Sequence, residues 1–417
     1  SDSKYAIQVT KPNSVINIVS GQGNNQILSR APSLIQANGD GTVINVFALQ
    51  GENNIDAKYL GTVSRFSAVI HGVNKGEVNI VAKQNTISGE IASESTRMNV
   101  LSQNYGSVNI EATTGNNIFL MDPYMGESKD TGFVKVLSIS KATIRADNGQ
   151  NIFRTFKPTH YALTEGNSGF MYGIWSRGSS DVVISGQSNV FDFSQADQRN
   201  YSSFSVLATG IKVGENQGSS KMHVIATKGN NTLLATGIRA NRAEGIQTDT
   251  YGELFLEAKS GYNQIRVRRV DKSEIRKKNN DIPLYTHGVL TFLDSTSILV
   301  AKGNYIDVGS TNVYQRVEDS NSINIGTFGV RTSSNSRVVL EALTDNNQII
   351  VSQDDDEMPP YLIEAQPNLY AIVANTGSSV YLKALKGYNQ IAINPQKMSP
   401  KYLITRLKGI STGDVDS

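Results

Sequence analysis

SVYLKALKGYNQIAIN, residues 379–394, is the stretch on which the reading of the whole chain turns. Val380, Leu382 and Ala384 alternate with Tyr381, Lys383 and Leu385, so on an extended backbone the first set points to one side and the second to the other. Gly387 and Asn389 then interrupt the run, and a shorter alternation resumes at Ile391 and Ile393. The pattern is strand, corner, strand. Gly and Asn both tolerate left-handed backbone angles, which predicts such angles at this corner, and the Asn side chain can hydrogen-bond to nearby backbone.

The same unit recurs as ELFLEAKSGYNQIRV from Glu253, SVNIEATTGNNIFLM from Ser107, RVVLEALTDNNQIIV from Arg337 and KMHVIATKGNNTLLA from Lys221. Taking as a marker the apolar residue that follows the corner Asn, expected to line up along the middle of the fold, gives Ile27, Ile55, Ile87, Ile118, Ile152, Val190, Leu233, Ile265, Ile306, Ile349 and Ile391. These eleven copies span 364 residues in ten intervals, a mean period of about 36 residues. The spacing varies from 28 to 43, too loosely for a propeller or a helical repeat. A constant strand signature with variable length implies a fixed core carrying loops of different size at one corner.

A third strand precedes each copy, as in YGIWSRGSSDV from Tyr172, TGIKVGENQGSSKM from Thr209, HGVLTFLDSTSIL from His287, FGVRTSSNSRVVL from Phe328 and YAIVANTGSSVYL from Tyr370. Three short strands per repeat predict an all-β fold, a right-handed parallel β-helix of about eleven coils. Coils stacked about 4.8 Å apart would make a rod on the order of 50 Å long around an aliphatic interior. The corner Asn residues would stack into an internal ladder, each amide partnered by the next. Residues 1–417 form one β-helical segment in this reading. It begins and ends partway round a coil, as a piece of a longer repeat array would.

Composition limits the chemistry. Net charge is +2 and 18 % of residues are charged, so nothing compels a polyanionic partner. The absence of cysteine excludes disulfides and thiolate metal sites, and suits a chain that crosses an oxidising periplasm unfolded. No run of about twenty apolar residues is present, so membrane insertion by this segment is not expected. Nucleotide-binding, zinc-protease and serine-hydrolase signatures are absent, as is the calcium-binding nonapeptide repeat, and no cofactor or metal is expected. His71, His160, His223 and His287 fall in different repeats.

Two groups of residues are candidates for ligand binding. The basic stretch at 266–278 holds Arg266, Arg268, Arg269, Lys272, Arg276, Lys277 and Lys278 against Asp271 and Glu274. It could grip a sulphated or carboxylated glycan, or extracellular DNA; the alternative is a solvated loop. Tyr172 and Trp175, the latter the only tryptophan, could offer faces to sugar rings or could anchor the loop at 154–170. Asp192 and Asp197 are the best carboxylate pair for glycoside chemistry, although both fit turn positions equally well. Asp354, Asp355, Asp356 and Glu357 lack the spacing of a metal loop. Tyr59, Tyr161, Tyr285, Tyr361 and Tyr402, near loop ends, are expected to pack on the rod.

The repeated V-x-[IL]-x-A-x-x-G-x-N-x-I unit, the missing cysteines, the polar Asn/Ser/Thr-rich composition and the variable loops together resemble the β-helical passenger regions of bacterial autotransporter adhesins and related haemagglutinin-like surface proteins. The resemblance covers the whole chain and implies a place at the bacterial cell surface or in the secreted fraction. Members of that group mediate adhesion to host or neighbouring cells, self-association and biofilm formation, so the implied partners are host or bacterial surface glycans and proteins. The other function class is a polysaccharide lyase or glycoside hydrolase on the same scaffold. The outward positions argue against it, because Asn79, Asn109, His223, Phe255 and Val339 assemble no acid and base.

Overall fold

In the computed structural model the chain is a parallel β-helix. The structure describes residues 5–30, 33–59, 67–91, 97–121, 130–155, 169–194, 206–215, 218–238, 242–270, 284–311, 325–353, 367–394 and 406–412. Among the described residues there is no helix, and every strand pairing is parallel.

One strand from each coil, from Tyr5–Val9 to Arg406–Thr412, joins a 12-stranded sheet. The remaining two segments of each coil belong to a single 16-stranded sheet. In several coils these two run on without a break, as in Val43–Tyr59 and Glu253–Val270, so the Asn corner is a bend within one sheet. Elsewhere the bend interrupts the strand, as between Ser379–Ala384 and Asn389–Asn394. The longest connections by sequence all lie between the strand that follows the corner Asn and the next strand of the 12-stranded sheet. This is the expected single corner for added length.

The register confirms the repeat residue by residue. Val338 pairs with Val380, Leu340 with Leu382 and Ala342 with Ala384, and all three in the earlier coil are buried. The equivalents of Val338 and Leu340 line one continuous hydrophobic core that runs the length of the rod, while Ala226, Ala258 and Ala301, equivalent to Ala342, form a small buried cluster of their own. Along the inner corner the Asn ladder forms as read. Asn25, Asn53, Asn85, Asn117, Asn151, Asn189, Asn231, Asn263, Asn304, Asn347 and Asn389 are linked in order. Each Nδ2 donates to the next Oδ1 at 2.8–3.0 Å. The same Nδ2 atoms donate to strand carbonyls, such as Asn231 to Glu257 O at 2.7 Å, so each buried amide is partnered.

Two expectations need correction. Ile118, Ile152 and Val190 do not face the axis. In those three coils the core position is the next residue, where Phe119, Phe153 and Phe191 are fully buried and only the three marker residues are half-buried. Phe119 aligns with Ile87 and Phe191 with Leu233, which fixes the interior position as the second residue after the Asn. A one-residue slip in a period-two pattern moves a side chain to the opposite face. Where two apolar residues follow the Asn, the pattern alone does not choose between them. The phenylalanines stack, with centroids 4.6 Å apart for Phe119 and Phe153 and 5.0 Å for Phe153 and Phe191.

The second correction concerns the corner glycine. Left-handed angles occur at the other turn, between the 12-stranded sheet and the next strand, at pairs such as Asn104 and Tyr105 or Ser334 and Asn335. The corner glycines have ordinary backbone angles, and what selects them is close approach. A Cβ on Gly261 would collide with the carbonyl of Gly229 one coil below. The 12-stranded sheet has a second glycine column, where Gly245 faces the strand that follows the corner Asn. A Cβ there would sit 2.7 Å from Ile265 Cγ2 and 2.9 Å from Val267 Cγ2.

Candidate functional site

The corner ridge owes its local shape to length differences between copies. Most copies place four residues between the end of the strand that leads into the corner and the Asn, but Ala301 is followed by only Lys302 and Gly303 before Asn304. The register accordingly jumps from Ala258↔Ala301 to Tyr262↔Gly303. The shorter corner leaves a notch, and the ring of Tyr262 lies across it. A Cβ on Gly303 would sit 2.8 Å from the Asn346 carbonyl oxygen and 3.3 Å from Tyr262 Cδ1, so glycine admits both the next coil and the ring. The Tyr262 hydroxyl then reaches over one whole coil and donates to Asp345 Oδ2 at 3.1 Å. Tyr305 approaches the same carboxylate at 3.5 Å, the two rings lie 5.3 Å apart, and Lys302 Nζ is 5.2 Å from the Tyr262 centroid.

This cluster differs from a core anchor in being accessible. Tyr262, Tyr305 and Asp345 are half-buried, Lys302 is exposed, and Tyr388, in the corner beyond Asp345, is 60 % exposed. On the adjoining face of the strands that follow the corner Asn, Tyr305 stands in an outward file with Gln264, Gln348 and Gln390, of which Gln348 donates to Gln390 at 2.9 Å. Aromatic faces, amides and a carboxylate already oriented by two hydroxyls are groups that recognise sugar rings and their hydroxyls. This cluster is not grouped in the sequence. Its visible signal was the aromatic residue at the corner itself, in GYNQI at 261–265 and again at 387–391. The notch depends on a register that sequence did not supply.

The sequence-derived candidates fall elsewhere. Lys272, Arg276, Lys277 and Lys278 lie outside the described residues, as do Asp197 and the acidic run at 354–357. Arg266 is exposed, with Nε 3.7 Å from Asp307 Oδ2. Arg268 is mostly covered and bonds the Asp307 carboxylate at 2.7 Å and its carbonyl at 3.1 Å. Arg269 is 1 % exposed, on the strand rather than in a loop, so its guanidinium is not offered to solvent. Asp192 pairs with Arg154 at 3.2 Å. Tyr285 packs against His287 and Phe328 with centroids 5.8 and 6.1 Å away, in keeping with an anchoring role.

Tyr172 and Trp175 are each 3 % exposed, which favours the anchor over the sugar platform. They stand on the face of the 12-stranded sheet turned away from the core, with ring centroids 4.5 Å apart and in a cluster separate from it. Lys135 and Lys212 flank Trp175 in register, their ammonium groups 4.1 and 5.1 Å from its centroid. Lys212 also pairs with Glu215 at 3.2 Å. Farther along the same face Glu244 accepts from Thr209 at 3.2 Å, and Gln247 donates to Asp249 at 3.0 Å. Among the described residues no three of His, Asp and Glu converge to hold a metal ion.

Burial governs the protonation of this row. It raises Glu244 above the ordinary carboxylate range, and raises Asp249 to about 6, with Glu215 adding to the shift and Lys212 opposing it. For Asp249 the folded state therefore prefers the proton. Its contribution to stability is full below the ordinary value of 3.8 and is lost as pH rises through about 6. His71, 3.1 Å from Gln36 Nε2, has the opposite sign: burial lowers it to about 4, so its contribution is present above 6.5 and lost as pH falls toward 4. Asp249→Asn, which cannot ionise, is expected to be more stable than the wild type at neutral pH by on the order of 3 kcal/mol. The difference should disappear near pH 4. Urea titrations of both proteins across that interval measure it, and a constant difference would contradict the assignment.

No protein-family model, curated protein or solved structure matches the chain.

Proposed function

We propose that this chain is a β-helical adhesion module that binds surface glycans through its corner ridge, at the bacterial cell surface or after secretion. The observation that carries the reading is the Tyr262, Tyr305 and Asp345 cluster. It places two tyrosine rings and an oriented carboxylate on an accessible ridge of a rigid rod. The rod supplies preorganisation: the ridge is fixed by the Asn ladder beneath it, so little conformational entropy is lost when a ligand docks. The resemblance of the repeat unit to adhesin passengers supports the same reading, and extends it to partner proteins and to contacts between copies of the chain.

A glycan array probed with the intact chain tests the proposal. The double variant Tyr262→Ala with Tyr305→Ala should bind its best glycan at least about tenfold more weakly, as loss of two aromatic contacts predicts. Retention of full affinity by that variant would remove the ridge from the binding surface. Release of new reducing ends from any polysaccharide on the panel would move the chain to the polysaccharide-cleaving class instead.

A further inference from the structure

We propose that the ligand of the ridge is a linear acidic polysaccharide lying along the rod axis, with about one sugar unit to each coil. This rests on the glycan reading above and narrows it. In the five coils from Lys228 to Tyr388 the corners carry Lys228, Lys259, Lys302 and Lys386, all exposed, against the single acidic residue Asp345. The Asp345 carboxylate accepts from the tyrosine hydroxyls, and the ridge carries four cations to one anion, with aromatic faces between them. The earlier corners are poorer in cations: Lys83 is the one lysine among them, and 21–24, 113–116 and 147–150 read GQGN, TTGN and DNGQ.

Spacing and geometry favour a polysaccharide over a nucleic acid. Successive coils lie about 4.8 Å apart, comparable to the length of one sugar in an extended chain. Lysine in four of five coils matches a polymer with a carboxylate or sulfate on every sugar or every second sugar. The outward file of Gln264, Tyr305, Gln348 and Gln390 advances at the same step and presents amide donors and acceptors to hydroxyl groups. The ridge is convex, whereas single-stranded nucleic acids are held in basic grooves lined with stacking platforms. Exposed lysines on such a ridge act as point charges, so binding should weaken as salt rises.

The test uses the intact chain with polygalacturonate and hyaluronan as acidic polymers, dextran and pullulan as neutral ones, and single-stranded DNA as a non-sugar polyanion. Binding is followed by biolayer interferometry at low and at high salt. The probe variant is Lys228→Gln, Lys259→Gln, Lys302→Gln and Lys386→Gln together. The control is Lys141→Gln with Lys221→Gln, on the neighbouring face, and circular dichroism checks that both fold. Expected are salt-sensitive binding of an acidic polysaccharide, at least about tenfold weaker for the ridge variant and unchanged for the control. Neutral polysaccharides bound equally well, with no loss on lysine replacement, would overturn the acidic ligand while leaving the glycan reading in place. Tighter binding of DNA with the same lysine dependence would overturn it in favour of a nucleic acid. Failure of every polymer to bind, together with a silent glycan array, would sink both proposals.

Discussion

Phe153→Ala is expected to cost about 3–5 kcal/mol of stability. Phe153 is fully buried between Phe119 and Phe191, and Phe133 meets its ring edge at 6.0 Å. Truncation would leave a cavity walled by three rings that cannot all collapse into it, because each is also held by its own coil. Ile152→Ala supplies the comparison. Ile152 is half-buried and faces outward, so its truncation should cost no more than about 1 kcal/mol. Urea unfolding of the two variants measures the contrast. Comparable losses would mean that the interior register of these coils is one residue from where it is placed here.

A second large effect is expected at the corner ladder. Asn231 accepts from Asn189 at 2.8 Å, donates to Asn263 at 2.9 Å, and donates to the Glu257 carbonyl at 2.7 Å. Asn231→Ala leaves the Asn189 amide donor short of a partner and two acceptors in the next coil, Asn263 Oδ1 and the Glu257 carbonyl, short of theirs, a cost on the order of 3 kcal/mol or more. Asn231→Asp keeps the shape but replaces the donor with a carboxylate among carbonyl oxygens, and should be worse still at neutral pH. Each coil touches mainly its neighbours, so the damage should be local. Hydrogen exchange should accelerate in the coils around Asn189, Asn231 and Asn263 while distant coils stay protected. Uniform acceleration along the rod would show instead that it unfolds as one cooperative unit.

These two positions also mark how far the fold was legible in the sequence. The corner Asn could be identified because its chemistry admits few alternatives: a recurring amide in an otherwise apolar setting needs a partner, and a stacked coil provides one. The alternation of Val, Leu and Ala on the strand before the corner is equally plain, since one face is aliphatic throughout. Phe153 was missed because Ile152 beside it is also apolar, and a period-two pattern with two adjacent hydrophobic residues has no preferred phase. Glycine at the corner was recognised but given the wrong reason. Backbone permissiveness and close approach leave the same residue in a sequence, and only the position of the adjacent coil tells them apart.

The candidate site divides in the same way. The basic run at 266–278 stood out as a cluster in sequence, yet a strand alternates its side chains. Arg266 is thereby exposed, Arg268 tied to Asp307 and Arg269 buried. Tyr262 and Asp345 are 83 residues apart and formed no cluster in sequence at all. They meet because the corner between them is two residues short.

The sequence by itself determined that the chain winds into stacked three-strand coils with an aliphatic interior, an amide ladder at one corner and its extra length at another. Each of these is set within a single repeat and simply copied. Only the tertiary structure decided which of two neighbouring apolar residues faces the axis, which arginines are covered, and which side chains from different coils share the ridge. Those outcomes depend on the register between coils, which no single repeat contains.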